Sequence, residues 1–232
     1  MAIVSYLIDG VDLRHYGIYV SKSHGLIGRP AQKERMKVDW PNRHGLAWNH
    51  RNKRLQPREI ELKCFVRADG IDGFTSTLSE FFHLFDQDGP RQLLVAAGAP
   101  LVYMVECEDS ITVEKTWNDG EMVGTFSLRL IESEPVKRLF AFIPTQTIQG
   151  QMTIVSEKAL SVYWGDGTAS YDVMSHGVKA PDRTYQDDAV ILKHTYPSQY
   201  WGKKVFIVVA GDIDALTLND IKTTAQLIWE RY

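Results

Sequence analysis

The sequence of 232 residues has only 2 cysteines, a formal net charge of −3 and no long apolar run. A net charge so close to zero gives no overall basic field that would attract nucleic acid. No apolar segment approaches the roughly 20 residues that a membrane-spanning helix needs. The first eight residues also lack the basic start of a secretory signal. These absences argue against nucleic-acid-binding, membrane and secreted classes, and they predict a chain made and folded in a cytoplasm.

The sequence also lacks the motifs that carry catalysis or hold a cofactor. No glycine-rich loop ends in Lys-Ser/Thr, and no Gly-x-Ser-x-Gly elbow presents a serine nucleophile. The 7 histidines are scattered, without the spacing that zinc sites use. Two acidic pairs, Asp187 with Asp188 and Asp212 with Asp214, are typical of soluble turns and at most of weak calcium sites. We therefore predict no catalytic residue, no cofactor and no metal site.

Each cysteine lies inside a strand-like alternation of apolar and polar residues. Ile60, Leu62, Cys64 and Val66 occupy one face of the first such segment. A cysteine on the apolar face of a cytosolic chain packs as a small hydrophobic residue. Cys64 and Cys107 are therefore predicted to be buried thiols and not to form a disulfide.

The dominant pattern along the chain is the two-residue alternation of half-buried β-strands. Residues 60–67 and 101–106 alternate in this way. Residues 111–117 and 122–130 flank Asn118-Asp119-Gly120, and an Asp-Gly pair tolerates the positive φ angles of a tight turn. The pattern predicts a mainly β protein with a β-hairpin at this turn.

One segment has helical periodicity instead. Its apolar residues recur every three or four positions and form one wide stripe: Phe74, Leu78, Phe81, Phe82 and Phe85. Asp72 can cap the N-terminus, and Gly89-Pro90 supplies a stop. The stripe predicts a single helix that packs its aromatic face on a sheet.

Residues 24–57 differ from the rest, because glycines and prolines interrupt a long, polar and basic stretch. Inside a compact β domain, such a segment is more typical of an arm that contacts a neighbour than of a packed element. The contact surface between copies of the chain is expected to contain Arg29, Lys33, Arg35, Lys37, Arg43, Trp48, Arg51, Lys53 and Arg54. The alternative partner is single-stranded nucleic acid, since Trp40, Trp48 and His50 are interleaved with these charges.

The charge distribution favours contact between copies. Residues 29–67 contain 11 Lys and Arg against 4 Asp and Glu, whereas residues 106–134 contain 2 basic against 8 acidic residues. One basic and one acidic region on the same chain suit head-to-tail association, in which opposite charges set the register. We therefore predict a homo-oligomer without nucleic-acid specificity.

The alternating pattern lapses around residues 132–150 and then resumes. Strand-like segments follow at 160–164, 190–196 and 205–210, with Gly165-Asp166-Gly167 as a turn. A second set of short strands of this kind predicts a separate β-sandwich.

These boundaries predict two domains. The first spans residues 1–138, a linker spans residues 139–150, and the second spans residues 151–232. A chain that ends near Pro144 is expected to fold by itself, because the pattern lapses there and resumes with a new core.

The first 138 residues resemble the N-terminal domain of siphophage distal tail proteins. The resemblance rests on the opening from Tyr6 to Val20, on Gly28-Arg29-Pro30, on residues 58–65, and on the helix and closing hairpin that follow. Such proteins form a ring, typically hexameric, that joins the tail tube to the host-recognition tip. The resemblance implies a tail-tube-like β-sandwich or split barrel with one flanking helix and a long arm that reaches the neighbouring subunit.

From about residue 145 the chain resembles a PKD-like, immunoglobulin-like β-sandwich. The match lies in residues 162–168, in His194-Thr195-Tyr196 and in residues 202–208. Asp166 is expected to hydrogen-bond within its own turn. Tyr196 is expected to fill the core, with its hydroxyl on a backbone partner.

Together these resemblances imply a structural, non-enzymatic subunit of a phage or prophage tail, assembled in the cytoplasm of the host bacterium and located in the virion tail. Its expected partners are other copies of itself, in a ring that the resemblance implies to be hexameric, and the tail-tube and tip proteins. The alternative is an adhesin whose second sandwich binds a glycan or protein on the host surface. A signal peptide or a run of repeated sandwiches would favour the adhesin, and the sequence shows neither.

Overall fold

The computed structural model describes residues 4–48, 53–117, 120–175 and 189–231, with Trp48 represented by its backbone. These residues form antiparallel β-sheets and a single α-helix, so the prediction of a mainly β fold is confirmed. We call residues 4–136 the N-terminal region and residues 137–231 the C-terminal region. No sheet among the described residues combines strands from both regions.

The described residues of the N-terminal region form ten strands and the helix. They are β1 (Ser5–Ile8), β2 (Val11–Asp12), β3 (Ile18–His24), β4 (Lys37–Asp39), β5 (Leu46–Trp48), β6 (Arg58–Asp69), α1 (Gly70–His83), β7 (Arg91–Ala97), β8 (Ala99–Val105), β9 (Glu114–Lys115) and β10 (Glu121–Glu132). The first sheet has the order β2-β1-β7-β8, and the second sheet has the order β3-β6-β10-β9. A β-bridge between Glu106 and Ile131 joins the end of β8 to β10, so the two sheets meet at one corner.

Helix α1 covers the core that the first and second sheets enclose. Its buried Phe74 and Phe81 pack against β6 and β10, where the ring centroids of Phe81 and Phe126 lie 6.1 Å apart. Gly124 on β10 makes room for this contact, because a Cβ there would lie 2.8 Å from the ring of Phe74. The predicted aromatic stripe is therefore confirmed as core.

The predicted N-cap of the helix is wrong. The residue at the N-cap position is Asp69, and Asp72 lies within the first turn. Strand β6 runs directly into α1, and Gly70, with a φ of 69°, turns the chain between them. Because a local capping pattern cannot show that a strand continues to residue 69, the sequence placed the start too late.

The predicted hairpin is confirmed in its pairing, but β9 is much shorter than residues 111–117. Glu114 and Lys115 pair with Thr125 and Gly124 of β10. The preceding residues Ile111 and Val113 pack against the core instead of extending the ladder. The turn residues Asn118 and Asp119 lie outside the described residues.

The described residues of the C-terminal region form eight strands. They are β11 (Lys137–Phe142), β12 (Gly150–Ile154), β13 (Leu160–Tyr163), β14 (Ala169–Val173), β15 (Val190–His194), β16 (Val205–Gly211), β17 (Ile221–Thr223) and β18 (Gln226–Trp229). The third sheet has the order β14-β13-β16-β11-β18, and the fourth sheet has the order β15-β12-β17. They enclose a second core, which is the expected β-sandwich. Its specific likeness to a PKD domain stays a prediction.

The structure corrects the linker that was expected over residues 139–150. Residues 137–142 are the central strand β11, which pairs with β16 on one side and β18 on the other. Every residue of β11 is buried, so its sequence is a continuous run without the alternation of a half-buried strand. The lapse in the pattern therefore marks a strand that is covered on both faces.

The turn at residues 165–167 is fixed by a buried carboxylate. Asp166 accepts hydrogen bonds from the backbone N–H of Thr168 at 3.1 Å and pairs with Nε2 of His194 at 2.7 Å. Burial acts to raise the pKa of Asp166, but these hydrogen bonds act against it and leave that pKa below its ordinary value. The Tyr196 hydroxyl donates to the backbone oxygen of Trp164 at 2.9 Å, as expected for a buried tyrosine. The motif therefore stabilises the sandwich.

A third apolar cluster lies between the two regions. Its buried members are Val102 and Met104 from β8, Leu139 and Ala141 from β11, Tyr163 from β13, and Phe206, Val208 and Ala210 from β16. These side chains alternate with residues that face the two main cores, so β8, β11 and β16 are covered on both faces. The side-chain amide of Gln92 adds a hydrogen bond to the backbone oxygen of Phe206 at 2.8 Å. The two regions are thus packed together through the first and third sheets.

A chain that ends at Pro144 is expected to aggregate or to melt without cooperativity. It keeps β11 without β16 and β18, and it exposes Val102 and Met104 to water. Ending the chain at Pro135 and adding Val102→Thr and Met104→Gln is expected to restore solubility, because both problems are then removed. Gel filtration and thermal melting by circular dichroism compare the two chains. A soluble, cooperatively melting chain ending at Pro144 would show that the packing between regions is dispensable.

Candidate functional site

We call residues 31–56 the arm; its described residues, 31–48 and 53–56, form a β-ribbon that leaves the body between β3 and β6. At its base Gln32 forms a β-bridge with Leu55. Further out β4 and β5 pair with each other and with no other strand among the described residues. Near the tip the backbone N–H of Arg43 donates to the backbone oxygen of Trp40 at 3.0 Å. The long arm that was predicted from composition is therefore a feature of the fold.

The predicted contact residues are spread along the arm from base to tip. Arg29, Lys33, Lys37, Arg43, Lys53 and Arg54 are exposed, Arg35 is half-buried, and Arg51 and the side chain of Trp48 lie outside the described residues. Residues spaced along an extended ribbon do not converge on a small ligand, because a pocket needs side chains that surround it. Such a distribution suits a surface that another polypeptide covers. Contact between copies of the chain stays a prediction.

The arm also exposes large apolar side chains, of which the sequence pattern had drawn attention to Trp40 alone. Met36 is 75% exposed, Trp40 is 52% exposed and Leu46 is 49% exposed. An isolated two-stranded ribbon has little stability of its own, and the described residues leave these groups about half exposed or more. The alternation of apolar and charged residues from Met36 to Trp40, across β4, was the available signal. The arm therefore combines positive charge with apolar surface.

Arg58, the residue at which the chain returns from the arm into β6, holds the loop that leads into the arm. Its guanidinium donates to the backbone oxygens of Gly25 at 3.1 Å and Gly28 at 2.5 Å. Its Nε donates to Oε2 of Glu132 at 3.1 Å. The guanidinium also lies 5.3 Å from the ring centroid of Tyr103. One side chain thus joins both ends of the arm to the second sheet.

Glu132, at the end of β10, is fully buried and shared among several donors. Lys137, also fully buried, donates through Nζ to Oε1, and the backbone N–H of Met104 donates to the same oxygen at 3.3 Å. Burial lowers the pKa of Lys137, and the charge of Glu132 opposes this shift. Since Lys137 is the first residue of β11, this carboxylate ties the C-terminal region to the base of the arm. We call Arg58, Tyr103, Glu132 and Lys137 the buried anchor.

Tyr103 completes the buried anchor. Its hydroxyl donates to the backbone oxygen of Leu26 at 2.5 Å, in the same loop that Arg58 holds. Its ring centroid lies 5.1 Å from Nζ of Lys137, so the ring is within cation–π distance of two cations, Lys137 and Arg58. The loop at residues 25–28 is therefore held at three of its backbone oxygens.

Arg54 ties the returning strand of the arm to the C-terminal region. Its guanidinium donates to Oδ2 of Asp214 at 2.6 Å and lies 3.8 Å from Oδ1 of Asp212. Lys158 and Arg231 also pair with these carboxylates. The charge of Arg54 is thus partly used within the subunit, which was not expected. The cations around Asp212 and Asp214 also remove the reason to expect calcium there.

The acidic region at residues 106–134 is not a uniform surface. Glu132 is buried, and its partner Arg58 is likewise removed from the exposed basic surface. The exposed acids Glu106, Glu108, Asp109 and Glu114 lie instead on the loop before β10 or on β9. This segment borders a groove on the outer face of the second sheet, lined also by Phe65 and Thr125. The groove itself is lined by two acids, Asp109 and Glu114, and by two bases, Lys63 and Arg129, so its formal charges balance. Contact between the acidic segment and the arm of another copy stays a prediction.

The described residues give no basis for a metal site or for a membrane-spanning helix. No group of three or more His, Cys, Asp or Glu side chains there is placed to hold a metal ion. No helix in that part of the chain is long and apolar enough to cross a bilayer. Both cysteines are free, and burial raises the pKa of the Cys64 thiol to about 12, so it stays protonated. Cys64 is buried as predicted, whereas Cys107 is only partly buried. The pair Asp187-Asp188 and His50 lie outside the described residues.

Sequence reasoning missed the buried anchor. Glu132 was counted as surface acid, and Lys137 was placed at the edge of a linker. The only local signal is that polar residues interrupt an apolar stretch, which is equally typical of a loop. The anchor contact between Arg58 and Glu132 joins residues that are 74 positions apart in the sequence.

Glu132→Gln is expected to lower the free energy of unfolding by about 3–5 kcal/mol, because it leaves Lys137 buried without its counter-charge. The double variant Glu132→Gln with Lys137→Met is expected to recover at least half of this loss, since the uncompensated cation is then removed. Chemical denaturation of the two variants and the single Lys137→Met chain measures the coupling. Additive losses in the double variant would show that the two charges do not depend on each other.

Known proteins that are similar to this chain come from bacteriophages. Curated proteins provide no match to the chain. Among solved structures, the crystal structure of the Dit protein of phage SPP1 matches at 13% identity and a TM-score of 0.46, covering 90% of this chain and 98% of that chain. That protein is described as a paradigm of the hub adsorption apparatus in phages that infect Gram-positive bacteria. The family model for the phage tail protein RIFT-related domain matches residues 12–131, which run from β2 to β10 and include the arm. Because this match spans more than half of the chain, the protein belongs to the family of phage tail proteins with a RIFT-related domain.

Proposed function

We propose that the chain is the structural subunit of a ring in a phage tail, located where the tail tube joins the host-recognition tip. The chain belongs to a family of phage tail proteins. The observation that best supports a ring is the arm. The arm is attached to its own subunit at the base and is exposed along its length. A ribbon of this kind gains stability when another chain covers it.

The energetics favour a second copy as that partner. Covering the exposed side chains of Met36, Trp40 and Leu46 would contribute favourably at about 25 cal/mol per Å² of apolar area. Every copy of the chain also carries the groove and, along its border, the exposed acids Glu106, Glu108, Asp109 and Glu114, whose charge is opposite to that of the arm. Arm and groove are different surfaces, so each contact is heterologous, and repeated heterologous contacts close into a ring when the rotation permits. We propose a hexamer, as in the distal tail proteins that the sequence resembles.

The proposed partners outside the ring are the tail-tube and tip proteins, and the proposed place of assembly is the cytoplasm of the host bacterium. The subunit needs no catalytic step for this role. Assembly before lysis also suits a chain whose free thiols include a buried cysteine.

A second candidate function is adhesion through the C-terminal region. Ile143, Ile148 and Trp201 are exposed near one another, and the backbone N–H of Gly202 donates to the backbone oxygen of Pro144 at 2.8 Å. An exposed tryptophan beside aliphatic groups can stack on a sugar or pack on a protein. Binding of the monomeric subunit to host cells would favour this alternative.

Removing the outer arm is expected to give a folded monomer. Replacing residues 34–53 by Asn-Gly joins Lys33 to Arg54, whose backbones already pair at 2.9 Å, through a turn that suits hairpins. The body and its melting temperature should be unchanged, because none of the described residues among those excised belongs to a core cluster. Mass by analytical ultracentrifugation reports the assembly state.

The matched control for this experiment is Ile191→Ser on β15. It also changes an exposed apolar residue but lies outside the arm, so the ring should persist. A shortened-arm chain that still sediments as the full ring would rule out an assembly role for the arm.

The ring is expected to dissociate as sodium chloride rises towards molar concentration, with little change in subunit melting. The exposed cations of the arm and the acids of residues 106–114 attract across an interface that solvent reaches, and salt screens such pairs over roughly 8–10 Å. A purely apolar contact would instead hold or tighten in salt. Light scattering across the salt series measures the mass. An unchanged mass in an oligomeric sample would refute the electrostatic account and leave the ring itself standing.

A further inference from the structure

The buried anchor lies at the point where the arm meets both regions of the chain. We infer that Arg58 is a positioning residue that fixes the direction in which the arm leaves the body. Glu132 holds Arg58, and Lys137 binds the same carboxylate. The packing of the C-terminal region thereby presets the arm for its partner. This inference rests on the proposed role of the arm in assembly.

The geometry of the arm base supports this role. The direction of a two-stranded ribbon depends strongly on how its two base strands are held. On the outgoing side, Arg58 and Tyr103 hold the backbone oxygens of Gly25, Leu26 and Gly28. On the returning side, Arg58 is itself the first residue of β6 and is therefore fixed in the second sheet. Both ends of the arm are thus attached to one residue, Arg58.

The buried charges make this arrangement specific. A carboxylate removed from water is stabilised only when its donors adopt one suitable geometry, so apolar packing alone would tolerate more orientations. Glu132 receives Arg58 from β6, Lys137 from β11 and the backbone N–H of Met104 from β8. A shift of the C-terminal region moves Lys137 and leaves Glu132 with a different set of donors. The orientation of Arg58 therefore depends on how the two regions pack.

A second contact links the arm to the same region. Arg54, on the returning strand, donates to Asp214 at 2.6 Å in the segment after β16. This pair is exposed and adds little by itself. Together with the buried anchor, it attaches both sides of the arm base to the C-terminal region.

The test measures arm direction independently of assembly. Spin labels are placed at Asn42→Cys near the arm tip and at Ser79→Cys on α1, in a Cys107→Ser background in which Cys64 is buried and stays protonated. Pulsed electron spin resonance on dilute monomer gives the distance distribution. Arg58→Met is compared with Arg67→Met on the same strand, β6. The control removes an exposed guanidinium that pairs with Glu121 of β10, and it should not change the distance distribution.

Arg58→Met is expected to broaden the distribution and abolish its single maximum. It should also raise the subunit concentration at half assembly by about tenfold or more, as the loss of charge-assisted hydrogen bonds would. Lys137→Met is expected to act in the same direction. Should Arg58→Met fail to fold, Arg58→Lys replaces it, because it keeps a charge near Glu132 but cannot hold Gly25 and Gly28 together.

Each outcome decides one question. A distribution unchanged by the Arg58 substitution overturns the inference, whatever happens to assembly. A broadened distribution with assembly unweakened also overturns it, since the direction would then be immaterial. If the shortened-arm chain still assembles, the proposed assembly role of the arm fails, while broadening in the Arg58 variant would still establish that this residue positions the arm.

Discussion

The carboxylate of Glu132 is the interaction on which the other features of the structure converge. It is fully buried, and a buried charge persists only when cations and hydrogen-bond donors are brought to it. Arg58, Lys137 and the backbone of Met104 supply these groups from three different strands. Satisfying one carboxylate therefore sets the positions of β6, β8, β10 and β11 together. The loop into the arm follows, because the same Arg58 holds its backbone oxygens.

The two regions are best understood as four stacked sheets with three apolar layers between them. The second and first sheets enclose one core, the third and fourth enclose another, and the first and third sheets pack against each other. Strands β8, β11 and β16 serve two layers at once. A molecule built in this way transmits a displacement of the C-terminal region to the N-terminal region, because close-packed layers deform little.

The arm has the opposite character to this packed body. It carries exposed cations and apolar groups and has little stability by itself, which is a cost for a monomer and an advantage for a subunit whose partner is another copy. A preset direction reduces the ordering that association requires. In the proposed ring, the body holds the base of the arm in place, and the tip of the arm makes the contact with the neighbouring subunit. Membership in a phage tail family gives that design a biological setting.

The sequence by itself determined the β class, the single aromatic helix, the exposed basic arm and the Gly165-Asp166-Gly167 turn. Each of these depends on residues close together in the chain, where periodicity, charge and turn chemistry act locally. The tertiary structure alone decided that residues 137–142 form a central strand, that Glu132 and Lys137 are core residues, and that the two regions share an apolar layer. A doubly buried strand loses the alternation that reveals a strand, and a charged residue looks like surface until its partner is known. Arg58 and the backbone of Met104 reach Glu132 from strands distant in sequence, so only folding brings these groups together.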